Sequence, residues 1–135
     1  DRGAFFGSIF GTLNHLLWGD LAWLSRLSGS PPPPPPQTVG GTRELCATVA
    51  AWVADRVRTD GKIAVWADQL RPVHLRGQLT WLSGPDRSEI TRPMAICVVG
   101  MFNHQIHHRG QVHAMLTAAG VKTADTDLPF MPDTA

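Results

Sequence analysis

"FNHQIHHRGQVHAMLTAAG", residues 102–120, puts three of the chain's six histidines into the five positions from 104 to 108. On a helix each residue turns about 100°, so His104 and His108 stand about 40° apart, one above the other on a single face. Counting on in three- and four-residue steps gives Cys97, Met101, His104, His108, Gln111 and Met115, an unbroken seam of the kind that faces the centre of a helical bundle. His107 lies about 60° to one side of His104, and His113 stands nearly opposite the seam. The far face is also apolar, with Val99, Phe102 and Ile106, so a second helix or a second subunit is expected to cover it. A helix apolar on two faces belongs inside an assembly of helices.

Working outward, Pro93 suits the first position of this helix, and Gly120, just past Ala119, suits its C-cap. From Ala4 to Leu27 the residues Phe6, Phe10, Leu13, Leu17, Leu24 and Leu27 recur at three- and four-residue steps, which predicts a first helix. Gly29 and six consecutive prolines end it. Residues 30–41 form a Pro-rich connector of about 3.1 Å per residue, expected to be a spacer crossing the end of the bundle. Thr42, with Glu44 close behind, is expected to open a second helix to about Leu70. Its buried stripe would be Leu45, Val49, Trp52, Val53, Val57, Ala64, Ala67 and Leu70, with Gly61 as a bend. "HLRGQLTWL", "SGPDRS" and "EITR" then alternate and turn like a short β-hairpin. The tail from Val121 is expected to lie back over the bundle through Leu128, Phe130 and Met131.

At 135 residues the chain is expected to be one domain, spanning 1–135, with enough length for a core without disulfides. A net charge of +1 gives no long-range attraction for nucleic acid or membrane. Cys46 and Cys97 lack a C-x-x-C spacing and read as small buried apolar residues. With no signal peptide and no run of about 18 apolar residues, the cytoplasm is the expected compartment.

Two imidazoles on one face can reach one ion, and a bundle site wants a third protein ligand. The first helix offers His15, beside a stripe of Ser8, Gly11, Thr12, Gly19 and Ala22, whose small side chains leave room either for close packing or for a cavity over an ion. The alternative is a polar core network that binds nothing. Against it, a buried histidine pair needs hydrogen-bond partners, and Cys97, Met101 and Met115 are poor ones. Three neutral imidazoles suit zinc or nickel first, with iron, cobalt or manganese as further choices. His74 and His113 read as surface or structural. Asp20 and Gln111 are the polar groups nearest the seam, and no residue in it is an obvious general base. Asp20 reads foremost as a structural hydrogen bond or salt bridge, and Arg109 as an anchor for Asp125 or Asp127.

The segments "GSIFGTLNHLLWGDLAWLSRL" (7–27), "FNHQIHHRGQVHAMLTAAG" and "DTDLPFM" (125–131) resemble the second helix, last helix and Asp-Leu tail of the DinB/YfiT-like family. The resemblance implies an all-α fold, an up-down-down-up four-helix bundle. It implies a metal site made of His15, His104 and His108, with His107 at a variable position and Gln111, His107 and Asp20 as outer supports. Members usually open with a helix carrying a Tyr-Asn-x-Trp-Ala-Asn-like motif, and no such segment precedes Asp1. The expectation is therefore an N-terminally truncated bundle whose apolar groove is filled by a missing segment or a partner subunit, most simply in a homodimer.

The family includes thiol S-transferases that use bacillithiol or mycothiol, and a maleylpyruvate isomerase. The resemblance thus implies a divalent-metal-dependent enzyme, a low-molecular-weight thiol S-transferase or a hydrolase, acting on a small molecule and not on DNA. The alternative is a helical bundle that binds metal or a small ligand without turnover.

Overall fold

The computed structural model describes residues 3–36, 40–83, 86–127 and 129. Three long helices dominate them: α1 over Ile9–Ser28, α2 over Val49–Asp68 and α3 over Met94–Ala118. A hairpin of β1 (Gln78–Ser83) and β2 (Ser88–Pro93) precedes α3, and short 3-10 turns cover Gly41–Glu44 and Pro72–Leu75. The expected contacts of Leu128, Phe130 and Met131 lie outside the described residues. No described helix is long and apolar enough to cross a membrane.

Local chemistry sets the ends. The Ser8 hydroxyl accepts from the Gly11 amide and starts α1 five residues later than the apolar pattern suggests. Gly29, at φ 72°, closes the helix in the left-handed conformation that glycine adopts without Cβ strain. α2 starts at Val49 and not at Thr42, because Thr48 has the extended backbone and the hydroxyl, bonded to the Ala51 amide, that a cap requires. The helix runs on through Gly61 to Asp68 without a break. Pro93 is the last residue of β2 and caps α3, which begins one residue later than expected. Beyond α3, Gly120 at φ 80° turns the chain, and the Val121 amide returns to the Leu116 carbonyl.

α1 is the central helix and packs against both others. The residue pairings give the directions. Trp52 reaches Leu13 and Arg56 reaches Asp20, so α2 runs parallel to α1. His15 meets His108, Gly19 meets His104 and Leu24 packs with Met101, so the numbering falls along α3 as it rises along α1 and α3 runs antiparallel. Two parallel consecutive helices need a crossover as long as the helix itself. The proline run supplies part of it: Trp18 Nε1 donates to the Pro34 carbonyl at 2.9 Å, so the connector runs back along α1 and does not merely cross the bundle end.

The face that α2 buries also differs from expectation. Val49, Val53 and Val57 are 61, 48 and 66% exposed, and Ala64 and Ala67 are exposed too. The inner face carries Thr59, Ile63, the half-buried Trp52, Arg56 and Trp66, and Leu70. A buried ion pair decides the rotation. Asp20, 1% exposed on α1, receives Arg56 Nη1 at 2.5 Å and Gln105 Nε2 at 2.9 Å, so it joins all three helices. Arg56 also pairs with Asp60 at 2.6 Å. An unpaired carboxylate there would cost more than exposing three valines.

Leu24, Ile63 and Met101 form the core next to this pair, flanked by Trp23, Leu27 and Trp66. The hairpin, in the register Trp81 to Ile90, docks through Trp81 against Trp23, with the Arg26 guanidinium over both indoles. Cys46 and Cys97 are free and buried. Replacing Arg56 by Ala is expected to lower stability by about 3 kcal/mol in urea denaturation, because it strands the Asp20 carboxylate. A loss under about 1 kcal/mol would mean that Gln105 and the backbone suffice.

Candidate metal centre

α1 and α3 bring His15, His104 and His108 together. One ring nitrogen from each lies within 4.8 Å of the other two. His15 Nε2 and His104 Nε2 are 3.1 Å apart. Ligand nitrogens around a tetrahedral zinc ion lie about 3.3 Å from one another, close to the separation of the His15 and His104 pair. His108 is buried, and the other two are half-buried.

The small-residue stripe of α1 explains how a bulky ring fits between the helices. A Cβ added to Gly19 would stand 2.7 Å from His104 Cε1, so only glycine leaves space for that imidazole. Gly11 is confined in the same way, its added Cβ falling 2.6 Å from the Phe6 carbonyl oxygen. The seam residues Cys97, Met101, His108 and Met115 of α3 are all buried. The far face is not covered: Ile96, Val99, Phe102 and Ile106 are exposed among the described residues.

Two of the three histidines have an outer hydrogen-bond partner. His15 Nδ1 is 2.9 Å from Thr42 Oγ1, on the 3-10 turn after the connector. Asn14, the next residue on α1, holds that segment through two bonds to the Cys46 backbone, receiving its amide at 2.9 Å and donating to its carbonyl at 3.2 Å. Phe6 stacks on His15 with centroids 3.9 Å apart and meets His108 edge-on. His108 Nδ1 is 2.7 Å from Gln111 Oε1. His104 Nδ1 is buried and without a hydrogen-bond partner.

Asp20 sits outside the cluster, one residue from Gly19, and touches it only through Gln105 beside His104. Burial raises its carboxyl above the ordinary value, while Gln105 and Arg56 pull it down. His107 is exposed on α3, its ring 4.9 Å from that of His108, and its nitrogens are not part of the cluster. His113 bonds Thr123, and His74 accepts from the Arg71 amide, both structural contacts. Arg109 is exposed and makes no ion pair with Asp125 or Asp127 among the described residues, which corrects the expected anchor. Gln105 and Thr42 escaped sequence reasoning. Gln105 had a weak signal, as a polar residue next to His104; Thr42 had none, because its place depends on the path of the connector.

Two of the three rings, His15 and His104, are poor bases. Burial, then the charges of His108 and His104, hold His15 down to about 4, and burial with the neighbouring His108 and His107 lowers His104 as well. Both are thus suited to stay neutral, the form that ligates metal. Because the folded values lie below the unfolded one, near 6.5, acid favours the unfolded chain. Metal-free protein should keep its full stability above about pH 6.5 and lose it as the pH falls toward about 4, followed by thermal melting in chelator. His15→Gln should flatten that loss, and a midpoint constant down to about pH 4.5 would contradict it.

Comparison with known proteins agrees with what the geometry brings together. No curated protein and no solved structure gave a significant match. The model of the DinB family matches residues 1–135, the whole chain, and with the paired helices and the histidine cluster already described the chain belongs to the DinB family.

Proposed function

We propose that the protein binds one divalent metal ion, zinc or nickel foremost, through His15, His104 and His108, and uses it as an enzyme on a small molecule. The observation that carries this reading is the convergence of three imidazole nitrogens within 4.8 Å, from two helices and 89 positions apart in sequence for the nearest pair. The donor set fits, being three neutral imidazoles that leave a coordination position free, as catalytic sites do. Such an ion supplies positive charge that favours deprotonation of a water or thiol near neutral pH.

The chain's own residues divide the remaining work. The rings hold and orient; Phe6 on His15 and the α1–α3 packing at Gly19 keep bulk water from two sides. Among the described residues no carboxylate shares the cluster, and none of them is placed there as a general base. This favours transfer of a low-molecular-weight thiol, whose thiolate needs no further base to attack an electrophile, with hydrolysis as the second reaction class. A metal- or small-ligand-binding bundle without turnover is the second reading, favoured by the same missing base. The free cysteines are consistent with a cytoplasmic setting. A second copy covering Ile96, Val99, Phe102 and Ile106 would make a homodimer.

Metal analysis of the purified protein should give one ion per chain, and His104→Ala should abolish it; metal retained by the variant would sink the ligand assignment. Incubation with a model electrophile and a panel of thiols should give conjugation that stops on chelation. No conjugation with any thiol would leave the binding-only reading. Light scattering of the same preparation should report twice the chain mass, and a monomeric mass would remove the dimer.

A further inference from the structure

We infer that Thr42 and Gln111 are positioning residues that fix the proton of His15 and of His108 on Nδ1, so that both rings present Nε2 to the ion, and that His104 alone must change tautomer to bind it. The inference rests on the metal reading above.

A neutral imidazole has one N–H and one lone pair, so whatever holds the N–H at one nitrogen delivers the lone pair at the other. The Gln111 carbonyl oxygen can only accept, which puts the proton of His108 on Nδ1, 2.7 Å away. The Thr42 hydroxyl, 2.9 Å from His15 Nδ1, could donate or accept. As acceptor it leaves His104 Nδ1 a bare lone pair, whereas as donor it would leave there a buried N–H without a partner, the costlier orphan, so it accepts. It is held in place because the Asn14 side chain clamps the Cys46 backbone four residues further on. Two different structural elements therefore make the same choice for two ligands. Such outer partners set ring orientation and ligand basicity in metal sites.

His104 differs. With His15 Nε2 bearing a lone pair, the 3.1 Å contact between the two Nε2 atoms needs its proton from His104. The lone pair of His104 is then on Nδ1, which is buried and has no partner. To ligate through Nε2, the ring gives up that proton and takes one at Nδ1, staying neutral, so the proton count does not change. The contact between His15 and His104 is thus a stand-in for the ion, made with the proton that the ion displaces.

Metal-free protein with ¹⁵N-labelled histidine tests this through long-range ¹H–¹⁵N correlations, which separate the two tautomers. His15 and His108 are expected as Nδ1–H and His104 as Nε2–H, with His104 switching when zinc is added. Thr42→Val should move His15 to Nε2–H and weaken zinc binding by about 10- to 100-fold in chelator competition, and Thr42→Ser should restore both. Gln111→Leu should do the same to His108, an independent arm should the valine variant not fold. A valine variant with unchanged tautomer and affinity overturns the role, as does zinc bound by unsubstituted protein whose His15 is Nε2–H when metal-free. Unsubstituted protein that binds no zinc overturns the metal reading, and this role with it.

Discussion

The buried carboxylate of Asp20 constrains everything else. Removed from water, it must be matched by charge and hydrogen bonds, and the matching groups come from two other helices, Arg56 on α2 and Gln105 on α3. A hydrophobic contact tolerates sliding by several ångströms, but a hydrogen bond of 2.9 Å does not. The rotation of α2 and the axial register of α3 are therefore set at one point. Gln105 adjoins His104 and Asp20 adjoins Gly19, so the same point brings the ring opposite the one residue that has room for it.

This explains which parts of the fold were legible. Angular counting on α3 needed only the helix and picked the seam that the structure buries, from Cys97 to Met115. The hairpin was legible from its alternation and turn residues. The inner face of α2 was not. Val49, Val53 and Val57 make a clear apolar line, and patterning assigns such a line to the core. The core instead took the line through Arg56, Thr59 and Ile63, since the pairing of one buried charge outweighs the burial of three small aliphatic side chains. No periodicity rule sees a charge whose partner lies on another helix.

The candidate site was legible to a different degree. His104 and His108 share a face by helix geometry alone, and His15 was marked by its small neighbours. That the three meet depends on antiparallel packing of α1 and α3, which needs the tertiary structure. Thr42 is the furthest from sequence inference. It reads there as a helix cap, yet the cap is Thr48, and the Thr42 hydroxyl is spent on His15. Two threonines of equal propensity took different tasks because the connector delivers only one of them beside α1.

The connector has one more effect. Pro31 to Pro36 have no amide hydrogens, so this long extended strap beside α1 carries acceptors and no donors. An extended segment of ordinary residues there would be a half-finished strand, open to pairing with its counterpart on another molecule. A strap without donors cannot complete a ladder. The proline run thus lies along α1 in extended form without offering a seat for edge-to-edge aggregation.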